Sequence, residues 1–334
     1  MNAQHTHTRI TGTGTRGLAA LVLAACVGLA SCGDEPGFGP PTVVPEDRDP
    51  AWSPDGEWLA FEHTGSDSTP GLYIARIDGT ERRLLVAGGH TPDWSPDGTM
   101  LVMGIGFSYQ IFRFDLATDS LTPLTTDGFN VQAAWSPDGE SIAFLSDGVP
   151  GGGAGGLWLM KPDGTNLRRL PFNNDSAGSS GAGDSDWAPS GDRLAMAGTF
   201  FTSPSNFVRR LFVGDTLVQD TAWRTPPTFE VWDPAWSPTG EWIAYAKAVG
   251  TVREIRLIRP DGTEDHLLTR NGFSPTWSPD GQRVGFNRRS LDEVAIWSVD
   301  LNGENPQQLS WPRGRPPTPV VSASHSHQAS GGTP

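Results

Sequence analysis

The chain has 334 residues, with 24 positive and 38 negative side chains and a net charge of −14. Such an acidic protein repels phosphate backbones, so no nucleic acid is expected as a partner, whereas cations, basic proteins and neutral glycans stay open. Its 41 Gly, 29 Pro and 13 Trp indicate an all-β protein with short strands and many turns.

The N-terminal segment has the features of an export signal. Arg9 and Arg16 precede an apolar run over residues 18–30, which is too short for a comfortable membrane span and indicates a signal peptide. The run ends in Leu-Ala-Ser-Cys at Cys32, which resembles the lipobox of bacterial lipoproteins. That resemblance implies a lipid anchor on Cys32 and attachment to a membrane. Cleavage before Cys26, or a signal peptide in which both Cys are ordinary apolar residues, are the alternatives.

Composition divides the chain into four segments. Residues 1–31 are predicted to be the signal peptide, and residues 32–48, in which Gly and Pro are frequent, a tether. Residues 49–311 are predicted to form one repeat domain, and residues 312–334 a disordered tail of Pro, Ser and Gly. No Cys follows position 32, so no disulfide is expected.

A motif of the form Trp-Ser-Pro-Asp-Gly recurs along the repeat domain at intervals of 42, 41, 52, 49 and 41 residues. This period is typical of a four-stranded propeller blade. Pro fixes φ, Asp supplies an acceptor and Gly permits positive φ, so the motif predicts a turn between the first two strands of each repeat. The copies begin at Trp52, Trp94, Trp135, Trp187, Trp236 and Trp277.

The second strand of each repeat is apolar at every position, as in Leu59-Ala60-Phe61 and Ile142-Ala143-Phe144. Both faces of such a strand must be buried, one against each neighbouring repeat, and a closed ring also removes exposed edges. We therefore predict an all-β, six-bladed β-propeller of four-stranded antiparallel blades. The repeated Trp residues are interpreted as packing between blades, and a Trp cage around a ligand is the alternative.

These repeats, with their Ile-Ala-Phe-like and Ile-Tyr-like strands and Asp-Gly hairpins, resemble the WD-repeat-like units of the TolB propeller. The resemblance covers roughly residues 49–310. It implies an interaction scaffold of the cell envelope, facing the periplasm or the cell exterior. Fold alone does not carry function, so the site must be argued from its own residues.

The extra length of the longer repeats lies in residues 147–155, 173–183, 199–206 and 221–231. Strand counting assigns the first and third stretches to loops between second and third strands, and the other two to connections between blades. All four would emerge on one face of a propeller. Insertions on one face predict a binding face.

A polar residue precedes each repeated Trp by three positions, where the innermost strand enters from that face. Six such residues, three of them acidic, are predicted to ring the mouth of the central channel and to contact a basic peptide or an envelope protein. Capping of strand ends and binding of channel water are the alternative roles. The six residues are Asp49, Thr91, Gln132, Asp184, Asp233 and Ser274. Loop aromatics predicted to add contacts, or to pack the loops down, are Phe200, Phe201, Phe207, Phe229 and Trp232.

Other motifs are weaker. Gly151, Gly153 and Gly156 have dinucleotide-binding spacing but lead into a strand rather than a helix. No Gly-x-Ser-x-Gly elbow is present, which argues against a serine hydrolase.

No metal site or cofactor is predicted. Asp175, Asp184 and Asp186 offer oxygen ligands for Ca²⁺ without the spacing of a tight calcium loop, so a solvated loop is the favoured interpretation. The histidines of the repeats fall in separate repeats, without a helical zinc pair: His63, His90 and His266.

Two classes of function follow. The favoured one is a lipid-anchored, monomeric and non-catalytic propeller that binds a protein or peptide at the cell envelope. The other is a lyase-like propeller enzyme acting on glycans, with the acidic mouth supplying a base or a cation site. A lyase needs His and basic residues at the channel, and His90, four positions before Trp94, keeps that class open.

Overall fold

The computed structural model describes residues 44–65, 68–106, 109–147, 156–170, 179–203, 206–216, 221–225 and 230–312. Within these ranges the side chains of residues 179–183, 199–203, 206–208 and 221–224 are not described. The described residues form 24 β-strands and no α-helix, which confirms the all-β prediction. Accordingly, these ranges contain no helix able to cross a membrane.

The strands follow one another in sets of four. The first set comprises β1 (Glu46–Trp52), β2 (Trp58–Thr64), β3 (Gly71–Arg76) and β4 (Arg83–Ala87). The second comprises β5 (Gly89–Trp94), β6 (Met100–Ile105), β7 (Ile111–Asp115) and β8 (Ser120–Pro123). The third comprises β9 (Asn130–Trp135), β10 (Ile142–Ser146), β11 (Gly156–Met160) and β12 (Arg168–Arg169).

The later sets repeat this pattern, with longer strands in the fourth. That set comprises β13 (Ser179–Trp187), β14 (Arg193–Ser203), β15 (Asn206–Asp215) and β16 (Thr221–Arg224). The fifth comprises β17 (Val231–Trp236), β18 (Ile243–Val249), β19 (Val252–Ile258) and β20 (His266–Arg270). The last comprises β21 (Gly272–Trp277), β22 (Arg283–Arg289), β23 (Val294–Asp300) and β24 (Gln307–Gln308).

Each set is an antiparallel meander, as predicted. The second to fifth sets form separate four-stranded sheets, whereas the first and last join in one eight-stranded sheet. The join is a short parallel contact of β1 with β23, in which the Val294 N–H donates to the Pro45 carbonyl at 3.2 Å. Because β1 begins at Glu46, it includes three residues that the sequence assigned to the tether.

The repeated motif forms the predicted turn. The Ser53 hydroxyl donates to Asp55 Oδ1 at 2.5 Å and accepts from the Trp58 N–H at 2.9 Å. The Glu57 N–H donates to Asp55 Oδ1 at 3.0 Å. These hydrogen bonds, that from Ser53 foremost, hold the pKa of Asp55 below its ordinary value. The turn therefore closes on its own side chains and leaves the Trp free to pack.

Hydrophobic clusters fill the junctions between successive sets. Trp94, for example, packs with Ala51, Leu72 and Leu101, and its indole N–H donates to the Ala51 carbonyl at 3.0 Å. Another cluster joins the first and last sets through Phe61 and Ile296. The second strands are buried on both faces, so the interpretation of the Trp residues as packing between sheets agrees with the structure.

Three of the predicted insertions contain strand residues. Residues 199–203 and Asn206 extend β14 and β15, in which Thr199 pairs with Arg209 and Phe201 with Phe207. Residues 179–183 open β13. Residues 221–224 form β16, the outer strand of the fourth sheet. The prediction of loops was wrong here because backbone pairing across the hairpin continues where the repeat pattern stops. Residues 148–155 and 171–178 lie outside the described part of the chain.

A buried ionic clasp lies where the first and last sets meet. The Asp47 carboxylate, fully buried in β1, contacts His63 Nδ1 at 2.6 Å and accepts hydrogen bonds from Arg82 at 3.2 and 3.3 Å. Arg82 also donates to the Trp311 carbonyl at 3.0 Å. One guanidinium thus ties the first strand to the C-terminal end of the last set.

We expect Asp47→Asn to lower the free energy of unfolding by about 3–5 kcal/mol, because it leaves the Arg82 charge without its buried partner. Urea unfolding followed by tryptophan fluorescence measures the loss. Glu57→Gln, which breaks the exposed pair of Glu57 with Arg76, is the matched control and is expected to unfold like the unaltered protein. Equal losses in both variants would show that the clasp adds nothing beyond a surface ion pair.

Candidate functional site

Bulges in the first strand of each set, called here the inner strand, place the predicted mouth residues. The pairing register shifts between Arg48 and Ala51 in β1 and between Phe273 and Thr276 in β21. Within the bulges the backbone is left-handed, with φ between 46° and 55° at Asp49, Thr91, Gln132, Asp233 and Ser274. A bulge redirects the side chain at its extra residue. All six predicted residues, one from each inner strand, line a single depression of about 210 Å³, called here the acidic mouth.

Hydrogen bonds link four of the six mouth residues. The Ser274 hydroxyl donates to Asp49 Oδ1 at 2.9 Å and lies 3.3 Å from Asp233 Oδ2, which also accepts the Ser274 N–H at 3.1 Å. The Asp233 N–H donates to Asp184 Oδ2 at 3.2 Å, and Arg209 reaches the same oxygen at 3.2 Å. Three carboxyl groups are thereby held together by one hydroxyl, one guanidinium and backbone N–H groups.

The surroundings of Asp49 and Asp233 favour protonation of these two carboxyl groups. Burial raises the pKa of Asp49, against the lowering effect of the Ser274 hydrogen bond and of Arg48. Burial, then the charges of Asp184 and Asp49, raises the pKa of Asp233 well above its ordinary value. A cation placed among carboxyl groups that repel one another stabilises their ionised form, because its charge takes the place of the protons that they would otherwise hold.

Two further ionisable groups flank the mouth. Burial raises the pKa of Glu62, which pairs across the strands with Arg48, to about 7, and the Asp49 charge adds to that rise. Burial lowers the pKa of His90, whose ring lies 3.2 Å from the Thr91 hydroxyl and 3.3 Å from the Gly106 carbonyl. His90 therefore sits beside the mouth as a largely neutral imidazole at neutral pH.

A second pair of buried carboxyl groups serves the junctions between sheets, and sequence reasoning missed this role. Asp93 Oδ2 accepts the Trp135 N–H at 2.7 Å, and Asp186 Oδ2 accepts the Trp236 N–H at 2.6 Å. Each lies directly before a repeated Trp, where three of the other four repeats have Ala51, Ala134 or Ala235 and the last has Thr276. The carbonyls of those Ala residues accept the indole N–H of the next Trp at 3.0–3.3 Å. Asp in place of Ala directly before Trp94 and Trp187 is the sequence feature that could have indicated this role.

The structure describes only some of the predicted loop aromatics. Trp232 packs against the junction of the fifth and last sets, with the guanidinium of Arg209 at 5.6 Å and that of Arg253 at 4.9 Å from its ring. The side chains of Phe200, Phe201 and Phe207 are not described, although their backbones lie in β14 and β15. Phe229 lies outside the described residues.

The weaker motifs contribute little to a site. Gly156 opens β11, and Asp186 is occupied by its two Trp N–H groups. Within the described ranges no group of three or more His, Cys, Asp or Glu side chains is arranged to hold a metal ion. Cys26, Cys32, Gly151, Gly153 and Asp175 lie outside those ranges.

The clasp residues have the atom order of a Ser-His-Asp triad, which sequence reasoning also missed. Ser68 Oγ lies 2.7 Å from His63 Nε2, and His63 Nδ1 lies 2.6 Å from Asp47. Arg82 Nη2, however, lies 2.7 Å from the same His63 Nδ1 and pairs with the Asp47 carboxylate. In a triad the carboxylate is dedicated to stabilising an imidazolium. Here a permanent cation occupies that place, so we assign the group a structural role.

Comparison with known proteins adds the family. The model of the TolB β-propeller domain matches residues 48–272. The Tol-Pal system protein TolB of Alcanivorax borkumensis is 39% identical over 57 residues, which are 16% of this chain and only 13% of that protein. What that protein does as a whole is therefore not carried over by the match.

Two solved structures show the same fold. A TolB-type protein from Agrobacterium tumefaciens superposes with a TM-score of 0.57 at 22% identity, covering 69% of this chain and 84% of that chain. An oligogalacturonate lyase from Vibrio parahaemolyticus superposes with a TM-score of 0.52 at 13% identity, covering 77% of this chain and 90% of that chain. A TolB-type protein and a lyase thus share this architecture.

We expect Asp93→Asn to reduce the pH dependence of stability. Burial raises the pKa of Asp93 from 3.8 to about 7, so the folded protein holds a proton that the unfolded chain releases as the pH rises from about 4 to 7. This carboxyl therefore makes the protein less stable at pH 8 than at pH 5, by on the order of 3 kcal/mol, and Asn cannot contribute to that difference.

Urea unfolding of both proteins at pH 5 and pH 8 measures this difference. Asp78→Asn is the control, because hydrogen bonds from Thr80 lower the pKa of this exposed carboxyl and keep it charged throughout that range. An unchanged slope in Asp93→Asn would show that Asp93 ionises normally in the folded protein.

Proposed function

Because the chain belongs to the TolB β-propeller domain family, we propose that it is a non-catalytic binding scaffold of the cell envelope, whose acidic mouth receives cationic groups of a protein or peptide. The observation that carries the proposal is the cluster of Asp49, Asp184 and Asp233 at the end of the inner strands. Hydrogen bonds through the Ser274 hydroxyl and the Asp233 N–H link these carboxyl groups. Among the described residues, the guanidinium of Arg209 is the cation that forms an ion pair with them.

The proposed architecture is a closed ring of six blades. The eight-stranded sheet then counts as the first and the last blade, joined edge to edge through β1 and β23. A cluster of Leu59, Phe61, Ile296 and Leu309 between these two sets supports closure. The other four sheets supply the remaining blades.

The proposed partner offers Lys or Arg side chains from an extended segment. Among the described residues, the ion pair of the cluster is that of Arg209 with Asp184, at 3.2 Å. Asp49 and Asp233 share the single hydroxyl of Ser274. A Lys or Arg side chain entering the mouth would replace shared protons with a permanent charge and form charge-assisted hydrogen bonds.

The proposed location is the cell envelope, with export by the N-terminal segment and a lipid anchor at Cys32. The apolar run over residues 18–30 and the lipobox-like end at Cys32 support this location. The local similarity to a protein named for the Tol-Pal system agrees with it. We expect a monomer, since a closed ring leaves few sheet edges to pair.

We expect the triple substitution Asp49→Asn, Asp184→Asn and Asp233→Asn to weaken binding of a fluorescent oligolysine peptide at least tenfold. The substitutions remove the carboxyl groups that would ionise against the ammonium groups of the peptide, and fluorescence anisotropy of the labelled peptide measures the change. The whole chain is acidic, so the control must remove the same number of carboxyl groups elsewhere.

Asp78→Asn, Asp163→Asn and Asp261→Asn together provide that control. These three Asp residues cap exposed hairpin turns through hydrogen bonds from Thr80, Thr165 and Thr263, and Asn retains the acceptor oxygen. The control is expected to bind within about twofold of the unaltered protein. Equal weakening in both triple variants would reduce the mouth to one part of a general acidic surface, and the proposal would fail.

The alternative of a glycan lyase rests on His90, which lies beside the mouth and within electrostatic reach of Asp49. The favoured proposal predicts no absorbance from unsaturated product when the protein is incubated with polygalacturonate. A rise that His90→Asn removes and the exposed His266→Asn does not would replace the scaffold with an enzyme.

A further inference from the structure

A second cavity, of about 540 Å³, lies next to the acidic mouth and has the opposite charge. Arg48 and Phe273 in its wall directly precede the mouth residues Asp49 and Ser274 along the chain. The two cavities share no lining residue. We call the second one the arginine cleft, and its lining is Arg48, Thr251, Val252, Arg253, Asn271, Phe273 and Arg289.

One internal carboxylate holds two of the three arginines. Glu46, only 8% exposed, forms an ion pair with Arg48, and its other oxygen lies 3.4 Å from Arg289. Burial raises the pKa of Glu62, the cross-strand neighbour of Arg48, to about 7, which leaves this carboxyl only partly charged at neutral pH. One buried carboxyl group, that of Glu46, thus orients two guanidinium groups.

The third guanidinium, that of Arg253, lies against aromatic rings. It is 4.9 Å from the ring centre of Trp232 and 5.9 Å from that of Phe273. Among the ion pairs of the described residues none includes Arg253, and its side chain is exposed. Stacking on aromatic rings orients a guanidinium while leaving its N–H donors free to bind a ligand.

Three guanidinium groups around one cavity attract a negatively charged ligand, because among the described residues Glu46 is the carboxyl group that pairs with Arg48 and Arg289, and no ion pair includes Arg253. We propose that the arginine cleft is a separate binding site for the carboxylate group of a small organic ligand. Arginine forks match the two oxygens of a planar carboxylate and donate paired hydrogen bonds to it.

The size and the walls of the cleft indicate an organic acid rather than a bare anion. A cavity of about 540 Å³ is much larger than one oxyanion, and it falls within the range of pockets that hold small molecules. Phe273 and the 38% exposed Val252 supply apolar surface for the body of the ligand. The site is built without the mouth residues, so the inference stands independently of the proposed function.

Two matched pairs of probes test the site by isothermal titration of the purified protein. The first pair is an acetylated tetra-alanine peptide with a free C-terminal carboxylate and the same peptide as an amide. The second pair is galacturonic acid and galactose. We expect the acid of at least one pair to bind and its neutral partner not to bind, and the pair that responds identifies the source of the carboxylate.

Arg253→Gln is expected to weaken binding of the responding acid at least tenfold. Arg168→Gln, which removes an exposed arginine of β12 far along the chain from the cleft residues, is expected to leave binding unchanged. Oligolysine binding should be the same in both variants, so loss of the cleft is distinguishable from loss of the mouth. The proposal is overturned if neither acid binds, if Arg253→Gln binds as well as Arg168→Gln, or if inorganic phosphate binds as tightly as the acids.

Discussion

Burial of the second strands on both faces is the constraint on which the structure depends. Leu59, Leu101, Ile142, Leu194 and Ile243 are fully buried, and no single sheet can bury both of its own faces. Each sheet therefore requires a neighbour on either side, and one Trp from each inner strand fills the junction. The junction of the first and last sets adds a different chemistry, because Arg82 pairs with Asp47 in the first set and donates to the Trp311 carbonyl at the C-terminal end of the last. The apolar junctions hold neighbouring sheets together, while this polar clasp holds the first strand against the C-terminal end of the last set.

The same inner strands that pack the junctions also present the mouth. A bulge three residues before the Trp turns one polar side chain per strand away from the sheet register, and the Trp itself remains in place. The site is thus carried by strands whose positions are set by packing, not by the long connections. Such placement is more precise than a loop allows, which suits a cluster that depends on carboxyl groups a few ångströms apart.

Periodic features could be predicted from the sequence, and features made by single tertiary contacts could not. The Ser53–Asp55 turn, the apolar second strands and the grouping of the mouth residues all recur with the repeat, so one copy explains the others. The Asp47–His63–Arg82 clasp joins residues far apart in the chain, and polar residues before Asp49 look like a tether until their partners are known. The long β14–β15 hairpin was missed for a related reason: cross-strand pairing, not residue pattern, continues it.

Neighbouring residues of two inner strands line cavities of opposite charge, the acidic mouth and the arginine cleft. Asp49 and Ser274 belong to the mouth, whereas Arg48 and Phe273, one position earlier, belong to the arginine cleft. Successive side chains of a strand point to opposite sides, so one step along the backbone changes the cavity that a residue lines. Glu46 pairs with Arg48 and Arg289 on the side of the cleft, although the charge of Arg48 still opposes the rise that burial causes in the pKa of Asp49 in the mouth. The buried Glu46 is therefore the group that orients two of the cleft arginines, whereas the Ser274 hydroxyl orients Asp49.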